Sequence, residues 1–193
     1  MQGVRGEQQA QRRARVVAAA MSLATDGGYD AVQMRAVSQE ADVALGTIYR
    51  YFSSKDQLLL AVLDQLAQDM QQEMRDMPPR GESVLDRVTH VLDRCCGLLE
   101  DRPLLTHAVV TALSSSDASV ADLSDGVYGR LTSLIAEAIG DDAIDAIDEI
   151  EGVVHVLGQV WFASMLAWVG GRSKPGTMAM ELQLAARLLL GRH

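Results

Sequence analysis

Apolar positions along this chain recur at spacings of three and four, the period of an amphipathic helix, and no stretch alternates long enough to specify a strand. Val16, Val17, Ala20, Leu23 and Ala24 make the first stripe, on a helix predicted from about Gln8 to Asp26 and stopped by Gly27-Gly28. Tyr29 to Gln33 then reads as a short connector, with Tyr29 and Val32 closing a small core. Ala36, Val37 and Ala41 mark a short helix from Arg35 to Ala41, which Asp42-Val43 interrupts. A second short helix begins near Leu45. On it Ile48 and Phe52 share a face, while Thr47, Arg50 and Tyr51 point elsewhere.

The next element is predicted from Lys55 to about Asp76. Ser54 and Gln57 have capping-box spacing at its start, and Leu59, Leu63, Leu66, Met70 and Met74 form one stripe along it. Pro78-Pro79 ends it. Beyond that point only helices are predicted: one carrying Val84 to Leu99, one opened by Pro103 and running through Leu113, one from Asp117 to Ile139 stopped by Gly140, one between Ile144 and Gly171, and a last one from Thr177 to Leu190. The pattern is all-α: a small three-helix head with a helix-turn-helix, then a linking helix, then a larger helical body. The boundary falls near Leu58, giving domains 1–58 and 59–193.

Charge sharpens this division. The net charge is −9, yet residues 1–60 hold seven Lys or Arg against six Asp or Glu, and residues 61–193 hold ten against twenty. The head's cations gather at Arg12, Arg13, Arg15, Arg35, Arg50 and Lys55, a basic face that suits phosphates while the acidic body favours solubility. Arg12, Arg13 and Arg15 fit either a solvated face or contacts to phosphate or the minor groove. Lys55 sits in the first turn of its helix, the end that favours anions, and a nearby phosphate would explain it. Two short helices joined by a tight turn place the second in a DNA major groove.

The segments ADVALG and TIYRYFSSKDQLL resemble the DNA-binding signature of the TetR family of bacterial transcriptional regulators, with Gly46, Thr47, Tyr49, Tyr51, Phe52, Lys55 and Leu58 in register. The resemblance covers roughly residues 10–60. It implies that Thr47, Tyr49 and Lys55 hold phosphates of a double-stranded operator, that Tyr51 lies at the groove edge, and that Leu45, Gly46 and Arg50 stand nearest the bases, with Arg35 on the same basic face. It also implies a homodimer built on the last two helices, expected to use Trp168, Leu182, Ala186 and Leu189. Such proteins generally bind a small effector in the body and release DNA, and Met70, Met74, Leu105, Trp161, Phe162 and Met165 are the expected apolar lining. RPLLTHAVV, SSSDASVADL and VWFASMLAWVGGR are similar to the actinobacterial branch of that family that represses cholesterol catabolism, which implies a sterol-derived or acyl-CoA effector.

Other classes fare worse. No run reaches 18 uninterrupted apolar residues and the first fifteen residues lack an apolar signal core, so a cytoplasmic chain without a membrane partner is expected. His90, His107, His155 and His193 have no ligand spacing, and no phosphate loop or nucleophile elbow appears, so no catalytic residue, metal or cofactor is expected. The acidic run from Asp141 to Glu151 lacks a calcium-loop pattern and reads as a solvated helix start. Adjacent Cys95 and Cys96 read as reduced thiols. The rival reading is a helical ligand-binding or interaction protein without sequence-specific DNA binding.

Overall fold

A computed structural model describes residues 2–115, 118–140 and 150–191; side chains of 2–5, 118, 119 and 121–124 are not described. Among the described residues every regular element is helical. In chain order they are α1 (Gln2–Ala31), α2 (Met34–Glu40), α3 (Leu45–Tyr51), α4 (Lys55–Asp76), α5 (Val84–Glu100), α6 (Pro103–Leu113), α7 (Ala118–Ile139), α8 (Ile150–Val169) and α9 (Thr177–Leu190). The acidic run, apart from Glu151, lies outside the described residues, as do Ser116 and Asp117.

Two compact units are formed, Met1–Gln65 with Arg102–Asp125, and Leu66–Asp101 with Gly126–His193. Neither coincides with the head and body expected from the pattern, because α6 packs extensively on α1 and so groups with the head. The α1 face that receives it is the predicted stripe: Val16, Val17, Ala20 and Ala24 are buried, with Leu105, Ala108, Val109 and Ala112 buried on α6. Removing these from water is what holds so small a unit together. α1 begins earlier than expected and does not end at Gly27-Gly28. Gly28 adopts φ 69°, ψ −160°, a break within the run that glycine tolerates, and a further helical turn follows to Ala31.

In the second unit the α4 stripe is buried at Leu66, Met70 and Met74. α5 starts with a reciprocal capping box between Ser83 and Asp86. The Arg87 guanidinium donates to the carbonyls of Ala138 (3.1 Å) and Ile139 (2.6 Å), satisfying the last turn of α7 with a cation at its negative end. α9 is tied to α5 at its start, where both Glu100 carboxylate oxygens accept from the Gly176 amide at 2.9 and 3.0 Å. α8 is long and apolar enough by composition to cross a membrane. Its Leu157, Gly158, Trp161, Ser164 and Met165 face is buried within the unit, and Glu151, His155 and Gln159 stand on its exposed side.

Candidate nucleic-acid interface and effector body

The turn between α2 and α3 is set by short-range bonds. Asp42 takes a left-handed φ of 50°, a conformation that aspartate tolerates better than most residues. The Ser38 hydroxyl donates to the Val43 carbonyl at 2.7 Å, the Val43 amide donates back to the Ser38 carbonyl at 3.2 Å, and Val43 is buried beneath them. These bonds fix where α3 starts. Ile48 and Phe52 then anchor α3, both buried, which turns Tyr49 (52% exposed), Arg50 and Gly46 to solvent and leaves Leu45, Thr47 and Tyr51 half-buried. Arg35 is exposed on α2.

Gly46 is informative. It has no positive φ, and a Cβ added there would meet nothing within 4 Å. Neither backbone strain nor packing in this chain calls for a glycine, although glycine costs a helix about 1 kcal/mol relative to alanine.

Aromatic rings organise the cations around α3. Arg13 on α1 lies 5.2 Å from the Phe52 ring centroid, and the Tyr51 and Phe52 rings meet edge to face at 6.4 Å. The Lys55 ammonium sits 3.6 Å from the centroid of Tyr29, whose hydroxyl donates to Asp56 at 2.7 Å. Burial, and secondarily Asp56, pushes the Tyr29 phenol up to about 12, so it remains a donor at physiological pH. Sequence reasoning assigned Tyr29 to core closure and missed this role, since an Asp56 partner 27 residues away leaves no local signal. The capping at the start of α4 is also slightly offset: Gln57 N donates to Ser54 Oγ at 3.2 Å, but Gln57 Oε1 accepts from Ser53 N at 2.8 Å.

In the body, Met70 and Met74 of α4 and Trp161 and Met165 of α8 are buried, and Phe162 is half-buried. Leu105, expected with them, belongs to the unit that contains the head. Trp161 Nε1 is buried without a hydrogen-bond partner among the described residues. A cavity of about 290 Å³ opens between α7 and α8, lined by Tyr128, Thr132, Ala136, Ile150, Glu151, Val154 and His155, none of them among the six expected residues. Beside this wall, on the same helix, Ser133 and Glu137 each accept from the buried Gln71 amide of α4 at 2.8 Å.

The expected interface residues divide. Leu182 and Ala186 are fully buried within the chain, and Trp168 and Leu189 are half-buried. The exposed apolar stripe of α9 is Met180, Leu184 and Leu188, at 69, 53 and 68% exposure and one turn apart. Both thiols are buried and free, and burial pushes Cys95 up to about 12 and raises Cys96 as well. Among the described residues no group of three or more His, Cys, Asp or Glu could hold a metal ion.

Residues 16–62 match the family described as bacterial regulatory proteins, tetR family, and residues 81–189 match the tetracyclin repressor-like C-terminal domain. The chain is 38% identical over 184 residues to the HTH-type transcriptional repressor KstR of Rhodococcus jostii, covering 95% of this chain and 84% of that protein. Among solved structures it resembles a TetR transcriptional regulator from Rhodococcus sp. RHA1, with a TM-score of 0.82, 29% identity and coverage of 95% and 97%. It shares its fold with Thermus thermophilus FadR, a repressor solved with lauroyl-CoA, at a TM-score of 0.75, 23% identity and coverage of 92% and 93%. A head that exposes Tyr49 and Arg50 above buried Ile48 and Phe52, followed by a matching helical body, places the chain in the TetR family of DNA-binding transcriptional regulators.

Proposed function

We propose that the chain is a ligand-responsive repressor that acts in the cytoplasm, binding a palindromic operator as a homodimer and leaving it when a small apolar effector enters the body. Residues 1–58 act as reader and 59–193 as effector-binding and dimerisation body. The observation that carries the reading is α3 itself, whose Ile48 and Phe52 are locked inward while Tyr49, Arg50 and Gly46 face outward. Thr47, Tyr49 and Lys55 take phosphates, Tyr51 lies at the groove edge, and Leu45, Gly46 and Arg50 stand nearest the bases, with Arg35 on the same face. An open Gly46 lets DNA approach the backbone, which supplies the reason for glycine that the chain itself does not.

Dimerisation is supported by the α9 stripe of Met180, Leu184 and Leu188. A contiguous apolar strip on a regulator that must read two half-sites is best covered by its twin across a two-fold axis, with Trp168 and Leu189 at its margins. The effector class follows from the relatives: KstR-like sequence and a fold shared with a lauroyl-CoA complex point to a fatty-acyl or sterol-derived CoA thioester. Met70, Met74, Trp161, Phe162 and Met165 offer apolar contact, and an effector oxygen would satisfy the unpaired Trp161 N–H. To lift the repressor, the effector must bind one conformation more tightly than the other.

Gel shifts with DNA upstream of its own gene test the reader, and thermal-shift titration with lauroyl-CoA and sterol-derived CoA esters tests the body. Salt-sensitive, sequence-specific binding that one of these esters abolishes is the expected result. Stabilisation by an ester without specific DNA binding under any condition would favour a ligand-binding protein that does not read DNA.

A further inference from the structure

Lys55 stands at the wrong end of α4 for a cation, and its side chain is long and rotamer-rich, so something must decide where its ammonium goes. Tyr29 does so. The Gly28 break redirects the chain just before it, the phenol donates to Asp56 at 2.7 Å, and the ring face lies 3.6 Å from Lys55 Nζ. A phenol that donates to a carboxylate pushes electron density toward its ring, which strengthens the attraction of the face for a cation. Lys55 carries three N–H donors, and a ring face does not use them all.

We propose that Tyr29 is a positioning residue for DNA binding: its ring, polarised by Asp56, presets the Lys55 ammonium so that a backbone phosphate meets a cation already in place. The inference rests on the reading that Lys55 meets phosphate, and deepens it by naming the residue through which that contact is prepared. Asp56 therefore contributes to affinity without touching DNA, through the ring it polarises.

The test is anisotropy titration of the full chain on operator DNA across a salt series, with Lys55→Ala, Tyr29→Leu, Tyr29→Phe and the Tyr29→Leu/Lys55→Ala pair. Tyr29→Leu is expected to weaken a two-headed complex about 5- to 30-fold, while Tyr29→Phe, which keeps the ring, recovers most of that loss. Lys55→Ala lowers the salt slope by about one unit per head, and Tyr29→Leu leaves the slope in place because the phosphate contact still forms. On the Lys55→Ala background, Tyr29→Leu adds nothing further. Equal losses on both backgrounds, or tighter binding by Tyr29→Leu, would overturn the positioning role while leaving the phosphate reading intact. No effect of Lys55→Ala on affinity or slope would remove the phosphate reading and this inference with it. The folded wild-type chain supplies a check that needs no variant: the Lys55 ε-methylene protons should show an upfield ring-current shift, and an unshifted resonance also overturns the proposal.

Discussion

Gly158 of α8 sits against Tyr128 and Thr132 of α7, and replacing it by alanine is a sharp test of how the body is packed. An added Cβ would stand 2.7 Å from Tyr128 Oη and 2.8 Å from Thr132 Cγ2, closer than real Cβ atoms come, and 3.2 Å from Tyr128 Cζ, tighter than most. Tyr128 could swing away only by giving up its bonds to the His155 carbonyl (3.4 Å) and from Gln159 Nε2 (3.2 Å). Thr132 has less freedom, since its branch is stiff and its hydroxyl donates to the carbonyls of Tyr128 (3.1 Å) and Gly129 (2.9 Å). Overpacking of this kind costs about 1–3 kcal/mol, against which alanine returns about 1 kcal/mol of helix propensity. Urea denaturation should therefore show Gly158→Ala destabilised by up to about 2 kcal/mol.

Gly97→Ala is the control, because no atom lies within 4 Å of its Cβ position and only the propensity gain applies. Combining Gly158→Ala with Thr132→Ser and Tyr128→Phe removes two of the three close atoms, and its cost should fall below about 0.5 kcal/mol. If Gly158→Ala stabilised the protein as much as Gly97→Ala, or kept its full cost on the relieved background, the α7–α8 packing argument would be refuted.

Leu184→Glu places a charge in the middle of the exposed α9 stripe and, by two-fold symmetry, does so twice; light scattering should show one copy where the wild type shows two, and a persistent dimer at micromolar concentration would refute the stripe as the interface. Asp86 titrates below its ordinary value of 3.8 because the Ser83 hydroxyl and then the Ser83 amide bond to it, so its stabilising contribution is complete above that value and is lost as pH falls through the lower folded one. Carboxyl NMR should show the Asp86 titration moving up in Ser83→Ala, with a shallower acid limb in the stability profile. Cys95 and Cys96, with thiols raised by burial, should resist iodoacetamide at pH 8 in the folded protein and react once urea exposes them; prompt alkylation of the native chain would contradict their burial.

Much of the DNA-reading head is legible in the residues alone. Ile48 and Phe52 share a helical face, so their burial and the exposure of Tyr49 and Arg50 follow from the 3.6-residue period. The starts of α3, α4 and α6 likewise agree with their local signals: the Asp42-Val43 break, the Ser-x-x-Gln spacing and Pro103 at a first turn. α1 is less legible. Its first residues are polar on every side and carry no stripe, and Gly28 can be read as a stop when it is a break within a longer run.

Faces and partners are a different matter. In α9 apolar residues occupy nearly the whole circumference, so periodicity could not say that Leu182 and Ala186 turn inward while Met180, Leu184 and Leu188 turn out. The cavity at Tyr128, Thr132, Val154 and His155 depends on two helices meeting, which no window of one helix encodes. Lys55 shows the limit most clearly. As a cation at a helix N-terminus it announces that something unusual holds it, and local electrostatics suggests a phosphate. Only the folded chain brings Tyr29 and Asp56 to that ammonium, because contacts between residues far apart in sequence are settled by packing. The sequence by itself determined the helices, the DNA-reading head and the family pattern, all products of spacings of three and four. The tertiary structure decided which face each helix buries, where the cavity opens and which ring receives the cation, since burial depends on neighbours that local periodicity cannot name.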